Sequence, residues 1–433
     1  MKRYSFLGIK STNNRLSVFI ISLIFLYPLF CMTRIKQMAS PVVDMLPTTN
    51  EIWFIPLLFL IKLIVCDLKK NRFKLNAIIF VWFLVLFISI LIGGFYVTDI
   101  SQYLFAVAVF IIPISLLQLI TTKDILNLFF FLRLFTCVCL FYSILYIILV
   151  STFDTLSLIL GNTIQTSRLI SSDQFRVSLM IGSPISVANY FVITLPILFY
   201  MYFINKNNIW SKIALISIVA NISATALTLS RLGFISSILV SVICILFLRE
   251  EVPNRRKKLL MSIFGFIAFY FIASKYDLGR LFIGFSDTST SARLESGKLA
   301  LHLFQLYPFL GSGMGNYFTR VYQNNSLVID GVYGLVDPHN AYLLVLSELG
   351  LVGIIIILFF LFYLIFRISQ VPNKMFRNTG LIVLFSVSLV SIGGSHLINE
   401  ISFSIVFWIY ISLFYAASFL DEHTFQRFFE HER

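Results

Sequence analysis

Residues 337–365 read DPHNAYLLVLSELGLVGIIIILFFLFYLI. A short polar stretch, Asp337-Pro338-His339-Asn340, runs into the apolar run Leu343–Ile365. That run is long enough to cross a bilayer, for which about 20 residues suffice. Asp is a favoured N-cap and Pro a favoured first helical residue. A helix is therefore expected from Pro338, capped by Asp337, with His339 in its first turn. Aligned peptide dipoles make a helix start positive, which keeps an imidazole there neutral and able to accept a proton. The backbone N–H groups beside it can hold an anion. The bland alternative is an interfacial polar residue that ends a loop.

The same pattern recurs along the 433 residues, of which 58% are hydrophobic and 12% charged. Soluble domains carry roughly 25% charged residues. The expected fold class is therefore all-α, a polytopic integral membrane protein. About twelve spans are expected, near residues 17–33, 52–66, 75–95, 103–120, 126–150, 185–204, 211–228, 232–248, 259–274, 341–366, 379–397 and 401–419. The first reads as a retained signal anchor, because a basic N-terminus precedes it without a clear cleavage site. Residues 1–433 form one membrane domain, and 275–340 form a large loop between spans nine and ten.

The net charge of +13 would point to nucleic acid in a soluble protein. Here the basic residues sit mainly in alternate short loops, as in Lys69, Lys70, Arg72 and Lys74 or Arg255, Arg256, Lys257 and Lys258. The positive-inside rule then puts both termini in the cytoplasm and the 151–184 and 275–340 segments outside. No nucleic-acid partner is expected. Cys31, Cys66, Cys137, Cys139 and Cys244 lie in or beside apolar runs without paired spacing, so neither a disulfide framework nor a metal site is read.

Several residues could carry chemistry on the outer side. Arg231 follows Thr228-Leu229-Ser230 in a short turn between two apolar runs. With Ser230 as cap, Arg231 enters the first turn of the next helix, a guanidinium beside a positive helix end. Such a pair suits phosphate, which guanidinium binds in bidentate fashion; the bland reading is a snorkelling arginine. Arg176, Arg280, Arg293 and Lys298 add positive charge in the two outer segments. Singly each is a solvated charge; with Arg231 and His339 they could build a basic pocket for a lipid pyrophosphate.

Residues 291–307 (SARLESGKLALHLFQLY) carry apolar residues at helical spacing and read as an amphipathic helix on the outer surface. Gly311-x-Gly313-x-Gly315-Asn316 resembles a dinucleotide loop, but no β-α-β pattern surrounds it. It reads as a tight turn that lets backbone approach an anion. Glu348, inside a span, is expected to pair with an arginine of a neighbouring helix. Gly350 and Gly353 are expected to permit close packing.

Four of these pieces, in order, resemble the O-antigen ligase and polymerase superfamily of bacterial envelopes. They are Arg176…Gly182-Ser183-Pro184…Ala188-Asn189-Tyr190, then Ser230-Arg231 with Gly233, then Arg293-x-Glu295…Tyr307-Pro308…Gly311-x-Gly313-x-Gly315-Asn316, and last His339-Asn340…Gly350-x-x-Gly353. The chain departs from the family pattern at Ser296–Lys298, where an aromatic residue is common, and at Ile185, where Asn is common. The N-terminal third matches only as a run of spans.

The resemblance implies a glycosyltransferase of the inner membrane that needs neither metal nor cofactor, working at the periplasmic face. Its donor would be a glycan on undecaprenyl pyrophosphate, transferred to an acceptor sugar hydroxyl with inversion. Arg231 and Arg293 would hold the pyrophosphate, and His339 would orient or deprotonate the hydroxyl. Arg176, Ser230, Lys298, Arg280 and Asn340 are the candidates for substrate binding. A polymerase would use a second lipid-linked glycan as acceptor, with a chain-length regulator as a candidate partner. A ligase would use lipid A–core. The outer segment 151–184 favours the polymerase. A flippase or other transporter is the remaining class, disfavoured by the absence of a repeat and by charges gathered at one face.

Overall fold

The computed structural model describes residues 15–26, 116–152, 166–168, 175–177, 183–204, 208–248, 288–321, 338–397 and 401–425, apart from a few single positions within them. The expected spans at 52–66, 75–95 and 259–274, and nearly all of 103–120, lie outside the described residues.

The described part is helical. The elements are α1 (Arg15–Phe25), α2 (Leu128–Ser151), α3 (Pro184–Ile204), α4 (Ile209–Leu227), α5 (Arg231–Phe247), α6 (Thr288–Leu306), α7 (Ala341–Ser369), α8 (Lys374–Ser391) and α9 (Ile401–Ala417). A short 3-10 turn, Asp124–Asn127, leads into α2. The all-helical expectation holds for the described part, with one small strand pair in a loop: β1 (Thr166–Arg168) and β2 (Phe175–Val177) pair antiparallel, Ser167 opposite Arg176. α2, α3, α4 and α7 are long and apolar enough to cross a membrane, and α5 is a shorter apolar helix. These helices start and stop within a few residues of the expected spans.

α3 is the central helix. Every residue from Ser186 to Met201 is buried, as befits a helix that is apolar all round. Its faces are assigned by its contacts. Tyr190 packs edge-on to Tyr142 of α2. Ala188 lies against Gly233 of α5. Tyr200 packs on Phe376 of α8. Thr194 accepts a hydrogen bond from Asn221 Nδ2 of α4 at 2.8 Å, and Asn221 Oδ1 accepts from Ser143 of α2. This fully buried amide thus ties three helices together. Asn221→Ala should lower stability by about 1–2 kcal/mol, because it removes two interhelical hydrogen bonds worth roughly 0.6 kcal/mol or more each in membranes. Thermal unfolding in detergent reads this as a lower Tm; an unchanged Tm would refute the tie.

The helices alternate in direction. Leu232 meets Gly393 just beyond α8, while at the far end Asn378 Nδ2 donates to Phe247 O at 3.1 Å. Asn340 and Tyr342 also reach the end of α8, at Ile392 O and Ser388 O. The N-termini of α3, α5 and α7 therefore share one end of the bundle with the C-terminus of α8.

α7 breaks sharply. Tyr342 touches Ser388, and Ile368 abuts Gly380. A straight helix from Tyr342 to Ile368 would be about 39 Å long, yet their partners on α8 lie about 12 Å apart. A tyrosine side chain closes only part of that gap. The chain must turn at Gly350, whose φ and ψ of 62° and −159° leave the helical region. Residues 351–369 then run beside α8, and 341–349 run across the Arg231 end of the bundle. α6 packs on that transverse segment, with Ala300 and Leu303 against Leu344. α6 thus lies along the transverse segment at that end of the bundle.

Candidate active site

The α4–α5 corner delivers Arg231. Thr228 Oγ1 donates to Thr225 O at 2.7 Å and accepts from Ser230 N at 3.2 Å. Between them Leu229 is left-handed, φ 55°, a conformation that costs a side-chain-bearing residue roughly 1–2 kcal/mol. Ser230 then caps α5 as expected, its hydroxyl accepting from Gly233 N at 3.3 Å. A Cβ on Gly233 would lie 2.7 Å from Ala188 Cβ, so only glycine lets this first turn press on α3. Arg231 is half-buried in that turn.

His339 and Asn340 are arranged differently from the expectation. The helix begins at Ala341, and its cap is Asn340, not Asp337. Asn340 Oδ1 accepts from Tyr342 N at 2.9 Å and Leu343 N at 3.0 Å, satisfying two N–H groups with one oxygen. His339 therefore precedes the helix in the left-handed region, φ 48°, which histidine tolerates better than most residues. Its Nδ1 is shielded from solvent. The other end of the Asn340 amide donates to Ile392 O at 3.0 Å.

That last bond joins the two motifs. Asn340 binds Ile392 and Leu232 packs on Gly393, so His339 and Arg231 each lie one residue from contacts made on adjacent residues. Asn340→Ala should cost about 1 kcal/mol through the lost cap and lower Tm. Asn340→Asp should recover the cap but not the donation to Ile392. Equal Tm for both variants would contradict the double role.

α6 brings in Arg293. It runs alongside 341–349 in the same direction: Gly297 abuts Leu343, and further on Val352 N donates to Phe309 O at 3.1 Å. Arg293 lies one turn before Gly297 on the same helical face. That register sets it level with His339. Its Nε is shielded and the residue half-buried. Lys298 behaves otherwise: it is exposed and pairs with Glu295 at 2.8 Å.

The glycine motif braces the break in α7. Gly311, Gly313 and Gly315 all have positive φ. Ser312 N and Gly313 N donate to Ser347 O and Glu348 O at 2.8 and 2.9 Å. These are carbonyls that the break at Gly350 deprives of helical partners. In return Leu351 N and Val352 N donate to Pro308 O and Phe309 O. The carboxylate of Glu348 accepts from Gly315 N at 3.0 Å and Tyr317 N at 3.1 Å. The anion approached by this glycine turn is thus the protein's own carboxylate. Glu348 holds the loop through these backbone N–H groups.

Arg176 sits on β2, which runs beside α2. Arg280 lies outside the described residues. Two residues that sequence reasoning gave no role stand out instead. Asn189 Oδ1 and Ser236 Oγ are buried without a hydrogen-bond partner among the described residues. On α3, Asn189 falls between the face toward α5 and the face toward α8; Ser236 is one turn from both Leu232 and Gly233. Both point into the α3–α5–α8 junction, within about two turns of Arg231. A polar residue in a spanning helix is the signal that could have found them.

The end of the bundle thus gathers three positive helix starts, two half-buried arginines and a histidine. It is suited to hold a strongly anionic group and to accept a proton beside it. Residues 216–358 match the family model described as O-Antigen ligase, in keeping with the O-antigen ligase/polymerase superfamily. The matched stretch includes Ser230, Arg231, Arg293, His339, Asn340 and the glycine motif. No curated protein matches the chain.

Proposed function

We propose that this protein transfers a glycan from undecaprenyl pyrophosphate to an acceptor sugar hydroxyl at the periplasmic face of the bacterial inner membrane. The observation that carries the reading is the meeting of the Arg231 and His339 motifs at Ile392–Gly393, with Arg293 level with them. Arg231 and Arg293 hold the donor pyrophosphate. His339 takes the proton of the acceptor hydroxyl as its oxygen bonds to the anomeric carbon. The bond from that carbon to the phosphate oxygen breaks on the opposite face, so configuration inverts, and undecaprenyl pyrophosphate leaves with the electron pair. The arginines meet the charge that grows on it, and fixed charges of this kind need no reorganisation as the bond breaks. Ser230 and Asn340 position the two motifs through their caps, while Lys298, Arg176 and Arg280 attract the donor from further out.

The preferred acceptor is another lipid-linked repeat unit, which makes the protein a polymerase. The description of the matching family, O-Antigen ligase, favours the second reading, in which lipid A–core is the acceptor. Purified protein in liposomes with lipid-linked repeat units separates the two. Chain growth without core identifies a polymerase. A single transfer that requires core identifies a ligase. No transfer with either acceptor would overturn both.

A further inference from the structure

The turn that follows α6 carries large apolar side chains into the open. Leu306, Phe309 and Leu310 are 47%, 71% and 46% exposed, beside a partly exposed Tyr307. Single exposed apolar residues are ordinary on a protein surface, but a contiguous group is not. What covers this group follows from where it sits along α7.

The membrane-crossing part of α7 has a lipid-facing stripe that begins at Leu351 and Val352 and continues through Ile355, Phe359 and Phe362 to Phe366. The stripe ends at Arg367, whose guanidinium lies 3.8 Å over the Phe419 ring, and at the polar turn 370–374. The hydrocarbon core is about 30 Å thick, or about 20 helical residues. Measured back from Ser369, that thickness ends at Gly350. At this level the backbone of the turn is bonded to α7: Leu351 N donates to Pro308 O at 2.9 Å and Val352 N to Phe309 O at 3.1 Å. The exposed side chains therefore lie level with the start of the stripe, at the edge of the hydrocarbon.

The neighbours are graded as an interface requires. Tyr307 has the Arg320 guanidinium 5.5 Å from its ring centroid, an aromatic and a cation of the kind found at headgroup level. Beyond them, on the side of α6 away from α7, Lys298, His302 and Gln305 are exposed among Leu294 and Leu301, a mixed surface that suits the headgroup level.

We infer that the Leu306–Leu310 tip is inserted among the lipid acyl chains of the leaflet at the Arg231 end of the bundle. It pins α6 flat across the bundle end, and with it the helix that carries Arg293. The inference rests on the membrane fold and not on the reaction proposed above.

The test uses the full chain with its cysteines replaced, in phosphatidylethanolamine–phosphatidylglycerol liposomes. A nitroxide is attached at Phe309→Cys, at Leu310→Cys, or at His302→Cys on that mixed surface. Power-saturation spectroscopy compares collision with oxygen, which concentrates in lipid, and with a water-soluble nickel chelate. Labels at 309 and 310 should favour oxygen several-fold, and the label at 302 should favour nickel. Nickel preference at 309 and 310 would overturn the inference in favour of an aqueous loop. Protection from both reagents would overturn it in favour of a covering protein surface, such as a second copy of the chain.

Discussion

His339→Asn should reduce glycan transfer at least about 100-fold, the lower bound for removing a general base, while the protein stays folded in the membrane. Asparagine is the informative replacement because it accepts a left-handed backbone with little strain. The φ of 48° at this position is then kept, and so is the cap that Asn340 makes on α7. Alanine would mix the loss of the imidazole with a backbone penalty. Arg231→Ala should lose a similar factor, because a charge aimed at the leaving pyrophosphate is worth most where water is scarce. Arg231→Lys should retain only part of the activity, since a point charge cannot replace a planar fork. Transfer by each variant is compared at equal amounts of membrane-inserted protein. Wild-type rates from both His339→Asn and Arg231→Ala would rule out the assigned roles.

The second large effect falls on the break in α7. Gly350→Ala places a Cβ 2.5 Å from Phe309 O and 2.6 Å from Gly311 N, at a φ of 62° that side chains avoid. Neither neighbour is a flexible side chain that can move aside. The strain of the left-handed residue and the overpacking together should exceed about 3 kcal/mol. The four backbone hydrogen bonds between 308–313 and 347–352 would have to part, and Glu348 would lose its hold on the loop. The variant should show a much lower Tm and no transfer. Gly297→Ala is the control. Its Cβ would meet only Leu343 Cδ1 at 3.4 Å, ordinary contact, and alanine is the better helix former. It should leave Tm unchanged or raised. Equal Tm values for the two variants would contradict the brace.

The spans were legible because an apolar run of bilayer length admits few conformations. α2, α3 and α4 begin and end within a few residues of the expected limits. The Ser230 cap was legible for the same local reason: one hydroxyl, one turn, one free N–H. What escaped was set by distant parts of the chain. Leu343–Ile365 reads as one helix, and the break at Gly350 exists only because 308–317 supplies carbonyls and N–H groups to the opened backbone. Asp337 and Asn340 are equally good caps on paper, and Asn340 has a further partner in Ile392, which no local rule foresees. The strand pair is too short, three residues a side, to show alternation. Asn189 and Ser236 are ordinary in composition, and only the placement of α8 turns both into one junction. At the site, the sequence named Arg231, His339 and Arg293 from local chemistry and resemblance. Their mutual placement depends on Gly393, Ile392 and Gly297, none of which carries chemistry of its own.

The most direct test of the central claim counts products. Purified protein in liposomes receives lipid-linked repeat units, with lipid A–core present or absent, and released undecaprenyl pyrophosphate is measured beside new glycosidic bonds. The account predicts one undecaprenyl pyrophosphate for each bond formed by the wild type, and neither product above background from Arg231→Ala or His339→Asn. Bond formation that proceeds in both variants, or without release of the lipid pyrophosphate, would contradict it.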